Sequence, residues 1–109
     1  MYISNSTGSA PKTTTVTWKE SDEPYADIEV QLGDTVDFDY TTSHNVRKFR
    51  NMDAFDQCEF SGRWISEEDS LDGPTSLLIE EKAGSTIYVG CSVDDHCDSG
   101  NMKLAIHVV

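Results

Sequence analysis

Hydrophobic and polar residues alternate along much of the chain in short segments that turn residues separate. The alternation is clearest in residues 27–32 and, after a turn at Gly33-Asp34, in residues 36–40. A period of two is the pattern of a β-strand with one buried face. Further segments of this kind lie at residues 16–18, 77–79, 86–90 and 102–109. About seven short strands with at most one or two short helices therefore predict an all-β, Greek-key β-sandwich.

Two segments depart from this alternation. Residues 1–13 are mostly small and polar, so we expect a flexible leader there, followed by a single domain at residues 14–109. The leader contains one glycosylation sequon, Asn5-Ser6-Thr7, and the sequence leaves its use open. Residues 47–62 are polar and irregular, and they have room for one short helix.

The chain is strongly acidic, which narrows the classes of partner. Its 109 residues include 20 acidic and 8 basic side chains, for a net charge of -12. This charge repels phosphate groups and anionic lipids. A protein with a basic docking surface is therefore a better candidate for the binding partner than nucleic acid or a membrane surface. We expect a monomer. No apolar run approaches the roughly 20 residues of a membrane span, and the start of the chain lacks the layout of a signal peptide.

The segment "CSVDDHCDSGNM", residues 91–102, contains two of the three cysteines, one of the three histidines and a methionine. Thiolate, imidazole and thioether groups are all ligands of soft or borderline metal ions, and two thiols can form a disulfide. The residue types therefore permit a disulfide, a zinc site, a copper site or a chance cluster. An odd number of cysteines in an exported domain usually means one bridge and one thiol with another role.

Strand parity indicates which of these side chains point into the sandwich, because residues two apart in a strand share a face. Cys91 has the parity of the hydrophobic residues in the strand before it, and Met102 has that of the hydrophobic residues in the last strand. A count from the aromatic residues of segment 36–40 through Thr42 points His44 inward as well. His96 lies in the loop that joins Cys91 to Met102.

These four side chains, His44, Cys91, His96 and Met102, are the ligand set of a type 1 copper centre. In such a centre two imidazoles and a thiolate bind in a plane, and a weak thioether lies on the axis. A single copper ion bound in this way would cycle between Cu(II) and Cu(I) and carry electrons by outer-sphere transfer. We do not expect an enzyme, because the sequence has no further metal motif for oxygen chemistry.

Three parts of the sequence together resemble a known family: "DTVDFDYTTSHNV", the cysteine at position 58, and "YVGCSVDDHCDSGNMKL". In order and spacing they are similar to the phytocyanin branch of the cupredoxins, from about residue 16 to the end of the chain. The resemblance implies that His44, Cys91 and His96 bind copper and that the fold is cupredoxin-like. It also implies a disulfide between Cys58 and Cys97.

The resemblance carries two further expectations. The asparagine that follows the first histidine, Asn45, should brace the copper loop by hydrogen bonding. A structural disulfide indicates an oxidising compartment, so we expect an extracellular, periplasmic or lumenal protein whose signal peptide has been removed.

The chain departs from the family pattern at the axial ligand. Family members usually have four residues between the second histidine and the axial residue, whereas five residues separate His96 from Met102. The usual spacing would make Asn101 the axial residue, but strand parity favours Met102. We expect the extra residue to be absorbed in the turn at residues 98–101.

Several alternatives remain at this stage. A structural zinc site could use His44, Cys91, His96 and Cys97, although adjacent ligands fit one tetrahedron poorly. The same fold could store or deliver copper, or serve as a cell-surface interaction module with a structural metal. His107 faces outward by parity, and we expect an ordinary surface residue there. We also expect a cationic redox partner to dock near His96, beside the acidic residues of its loop.

Overall fold

The computed structural model describes residues 10–109, which form seven strands and one short helix. One sheet has three strands in the order β1 (Thr13–Thr17), β3 (Thr35–Asp39) and β5 (Thr75–Leu78). The other sheet has four, in the order β2 (Ile28–Val30), β7 (Lys103–Val108), β6 (Thr86–Gly90) and β4 (Arg47–Lys48). Both sheets are mixed, because β1 runs parallel to β3 and β2 runs parallel to β7. The predicted all-β sandwich is confirmed.

The antiparallel pair of β6 and β7 positions the end of the sandwich where the candidate ligands lie. Gly90 at the end of β6 is paired with Lys103 at the start of β7, so the residues just beyond them are neighbours. The Cys91 N–H donates to the Met102 carbonyl at 3.0 Å. The side chains of Cys91 and Met102 belong to the main core and are completely buried, as strand parity predicted.

Strand parity predicts the wrong side-chain direction where a strand ends earlier than the sequence pattern indicated. Leu32 is 61% exposed, because β2 ends at Val30 and the chain turns at once, with the Asp34 N–H donating to the Gln31 carbonyl. The alternation in the sequence continues past the last residue that pairs. A side chain in the turn therefore does not keep the direction of the strand.

The irregular segment at residues 47–62 contains the predicted short helix, α1 (Met52–Asp56). The Asn51 side chain accepts a hydrogen bond from the Ala54 N–H at 2.9 Å, which caps the first turn. Ala54 packs with Phe49 and Cys97 in a second, smaller core. The predicted disulfide between Cys58 and Cys97 is present and joins this helical segment to the loop between β6 and β7.

Within residues 10–109, no helix has the length and apolarity that a membrane crossing requires. Most of the predicted leader, together with its sequon at Asn5, lies outside the described residues. The first strand begins at Thr13, the last residue assigned to the leader.

Candidate metal centre

Three segments converge at one end of the sandwich and bring a thiol and two imidazoles together. Cys91 follows β6, His96 lies in the loop between β6 and β7, and His44 lies between β3 and β4. The Cys91 Sγ lies 3.5 Å from Nδ1 of His96 and 4.0 Å from Nδ1 of His44. The two Nδ1 atoms are 3.1 Å apart, and one ligand atom from each of the three residues lies within 4.8 Å of the others.

His44 reaches this cluster by a turn and not by strand parity, so that part of the sequence argument is wrong. The strand β3 ends at Asp39, Thr42 is exposed, and Ser43 has a positive φ of 71°. The chain bends at this left-handed residue, just before His44. The His44 N–H then donates to the Leu71 carbonyl at 3.4 Å.

The loop that carries His96 is a compact series of turns. The His96 N–H donates to the Val93 carbonyl at 3.0 Å. The Asp95 carbonyl accepts from the N–H groups of Ser99 and Gly100 at 2.9 and 3.2 Å. These bonds close the loop on itself, so His96 is held by local backbone contacts as well as by the neighbouring disulfide at Cys97.

Asn45 ties the segment of His44 to the segment of Cys91, as the resemblance implied. Its Oδ1 accepts from the Ser92 N–H at 2.8 Å, and its Nδ2 donates to the Ser92 Oγ at 3.0 Å. The Asn45 carbonyl accepts from the indole N–H of Trp18 at 2.9 Å. Because Asn45 and Trp18 are both buried, these bonds fix the spacing of the two segments from within the core.

The two candidates for the axial position have different surroundings. Met102 is completely buried in the same core cluster as Cys91, and its N–H donates to the His96 carbonyl at 2.9 Å. Asn101 has a positive φ of 58°, and its Nδ2 donates to the Ser21 carbonyl at 2.9 Å. The Asn101 amide is thus engaged by the connection between β1 and β2, and the Asn101 backbone is in the left-handed region.

Burial shifts the pKa of two side chains of the cluster, Cys91 and His44. It raises the pKa of the Cys91 thiol above its ordinary value, so a metal ion must displace a proton from that sulfur. Burial is also the main reason that the pKa of His44 is lowered, and the positive charge of a protonated His96 lowers it further. A neutral imidazole is the form that binds a metal ion.

The sequence did not predict the contacts of two residues that lie near the cluster, Glu20 and Arg47. Glu20, in the connection between β1 and β2, places its Oε2 atom 3.5 Å from Nε2 of His96. The Arg47 guanidinium stacks on Trp64, with its central carbon 4.3 Å from the ring centroid, and donates to the Ser92 Oγ at 3.3 Å. The pattern of hydrophobic and polar residues does not predict these contacts, because they join segments that are distant in the sequence.

The remaining histidine and the zinc alternative can be assigned from the same contacts. His107 lies apart from the cluster, with Nε2 2.7 Å from Asp27 and Nδ1 3.0 Å from the Thr86 Oγ1. It is 38% exposed, which confirms the surface position that parity predicted. Cys97 is bonded to Cys58, so the alternative Cys2His2 set, which needs Cys97 as a thiolate, is wrong for this structure.

Comparisons with known proteins identify a matching family and several solved structures of similar fold. The model of the plastocyanin-like domain family matches residues 12–101 of this chain. The structure of cucumber stellacyanin with Cu2+ at pH 7.0 is 22% identical, with a TM-score of 0.72, over 92% of this chain and 97% of that one. Spinach plantacyanin is 20% identical, with a TM-score of 0.64, over 89% of this chain and 99% of that one.

Cucumber basic protein, a blue copper protein, is 18% identical, with a TM-score of 0.61, over 88% of this chain and 100% of that one. No curated protein matches the chain significantly by sequence. At these identities, the likeness to the three solved structures establishes a shared fold.

Proposed function

Because this chain belongs to the plastocyanin-like domain family and is a phytocyanin-like cupredoxin, we propose that it transfers electrons through one type 1 copper ion. In this proposal His44, Cys91 and His96 would bind the copper ion strongly, and the Met102 thioether would bind it weakly. Residues 14–109 act as a single cupredoxin domain. The protein is an electron carrier and not an enzyme.

The observation that carries the proposal is the meeting of one buried thiol with two imidazole Nδ1 atoms. This donor set fits copper, because thiolate and imidazole are ligands that suit both of its oxidation states. A buried cysteine without a disulfide partner, Cys91, has no structural need for two histidines beside its sulfur. Met102 is completely buried in the same core cluster as Cys91, and its thioether is of the kind that type 1 centres use.

A bound copper ion would supply one-electron chemistry between Cu(II) and Cu(I). The chain supplies a site that keeps one geometry while the charge changes, because loops from three segments are tied together. Asn45 joins two of these segments, and the disulfide holds the residue next to His96. The burial of Cys91 keeps water from its sulfur. A site that does not rearrange loses little energy to reorganisation at each transfer, which suits a carrier.

We also propose a setting and a partner. The Cys58–Cys97 disulfide supports an exported or otherwise oxidising location, because such bonds are rare in reducing compartments. The carboxylate of Glu20 beside His96, together with the exposed Asp94 and Asp95 of the same loop, supports docking of a redox partner with a basic surface.

Voltammetry of the copper-loaded protein tests this function against copper storage or delivery. We expect a reversible one-electron response over repeated cycles, with the copper retained when a Cu(I) chelator is present. Loss of copper to the chelator at each reduction, with slow electron self-exchange, would contradict the proposal and favour delivery. The Cys91→Ser variant is the control, since it keeps the size of the side chain and removes the thiolate.

A further inference from the structure

The two ring nitrogens of His96 face different parts of the molecule. Nδ1 lies 3.5 Å from the Cys91 Sγ, on the side of the candidate metal centre. Nε2 lies 3.5 Å from the Oε2 of Glu20, on the opposite side of the ring. A histidine that binds a metal through Nδ1 carries its proton on Nε2, where a carboxylate can accept it.

The fold holds Glu20 in this place by backbone contacts on both sides of it. The Lys19 N–H donates to the Tyr25 hydroxyl at 2.9 Å. The Ser21 N–H donates to the Gly100 carbonyl at 2.9 Å, and the Ser21 carbonyl accepts from the Asn101 side chain at 2.9 Å. Glu20 is therefore flanked by fixed residues, although its side chain is 49% exposed.

Gly100 leaves room for both the His96 carbonyl and the Glu20 side chain. A Cβ atom at position 100 would lie 2.5 Å from the His96 carbonyl oxygen, 2.7 Å from the Glu20 Cγ and 2.8 Å from the Glu20 Oε1, all closer than van der Waals contact allows. Gly100 is itself buried. The turn at residues 98–101, where we expect the extra residue to be absorbed, is thus the turn that contacts Glu20 and Ser21.

From these contacts we infer that Glu20 is a positioning residue for His96, holding the imidazole with Nδ1 toward the metal and stabilising Cu(II) relative to Cu(I). A carboxylate that accepts the remaining N–H of a ligand histidine fixes the tautomer and makes the ring a stronger donor. Its negative charge favours the more positive ion, so the reduction potential is lowered. This inference rests on the proposed copper site.

The apo protein tests the contact without copper. Nitrogen-15 NMR of the His96 ring at one fixed pH reports which ring nitrogen carries the proton. We expect the proton on Nε2 in the wild type and in Glu20→Gln, whose amide oxygen can still accept a hydrogen bond, and a mixture of tautomers in Glu20→Ala. A proton on Nδ1 in the wild type, or no change in Glu20→Ala, would overturn the inference.

The copper-loaded protein tests the effect of the charge. We expect Glu20→Ala to weaken Cu(II) binding about 10-fold or more, the lower end of losses when such a partner is removed, and Glu20→Gln, which keeps an acceptor and removes the charge, to weaken it by a smaller factor. Cu(I) binding should weaken less, so the reduction potential should rise. Glu23→Gln is the matched control, because it removes the same charge from the same connection at an exposed residue.

The copper experiment separates a failure of the role of Glu20 from a failure of the proposed copper site. Equal changes in Glu20→Gln and Glu23→Gln would overturn the role of Glu20 while the wild-type spectrum still supported the copper site. A wild-type protein without a type 1 spectrum would instead overturn the proposed function and the copper half of this inference. The NMR result would then still decide whether Glu20 orients His96.

Discussion

Asn45 is the residue on which the spacing of the candidate metal centre depends most directly. We expect Asn45→Ala to lower the free energy of unfolding by about 1–3 kcal/mol, because the buried side chain is lost and the Ser92 N–H is left without its acceptor. Urea unfolding of the apo protein measures this loss. Ser92→Ala is the matched control, since it keeps the backbone bond and removes only the hydroxyl contacts; equal losses in the two variants would contradict the account.

Met102 and Asn101 can be separated by single substitutions. We expect Met102→Ala to change the optical spectrum and the reduction potential of the copper-loaded protein, because it removes the proposed axial thioether. Asn101→Ala should leave the optical spectrum unchanged and shift the potential less than Met102→Ala does, and it should reduce stability, since it loses the bond to Ser21 and a residue suited to a left-handed turn. The reverse pattern would show that Asn101 is axial.

Residue identities and strand parity predicted the positions of several residues of the candidate metal centre. Cys91 and Met102 could be placed inward because the hydrophobic alternation runs without interruption into one and out of the other. His44 was expected in the centre for a partly wrong reason, since the turn at Ser43 places it. Glu20 could not be predicted, because its position depends on contacts with a loop some eighty residues away in the chain.

At the scale of elements, the disulfide links α1 and its following turn to the loop between β6 and β7. It joins residues 39 positions apart. Closing a loop of this length should stabilise the fold by about 3–4 kcal/mol in the chain-entropy model. In urea experiments, we expect the free energy of unfolding of the double variant Cys58→Ala/Cys97→Ala to be lower than that of the wild type by about 3–4 kcal/mol. An unchanged midpoint of unfolding would contradict this role.

The strands with clear alternation were predictable, whereas the shortest one was not. The strand β4 has only two residues, Arg47 and Lys48, and it exists because it pairs with the end of β6. Two residues carry no period, so only the tertiary contact defines the strand. Leu32 shows the opposite case, in which a pattern continues past the last paired residue.

At the scale of the whole molecule, the net charge of -12 should govern encounters with redox partners. We expect electron transfer to a small cationic complex to slow as salt is added, because screening removes an attraction. Transfer to an anionic complex of matched driving force should speed up over the same range. Stopped-flow rates at several ionic strengths measure both, and the same response for the two complexes would exclude steering by charge.

The most direct test of the account is an optical spectrum recorded after Cu(II) is added to the apo protein. A thiolate bound to Cu(II) in a type 1 centre gives an intense blue band by charge transfer. We predict this band at one equivalent of copper in the wild type and in the His107→Ala control, and its loss in Cys91→Ser. A colourless complex of the wild type, or a blue band that survives in Cys91→Ser, would contradict the proposed centre.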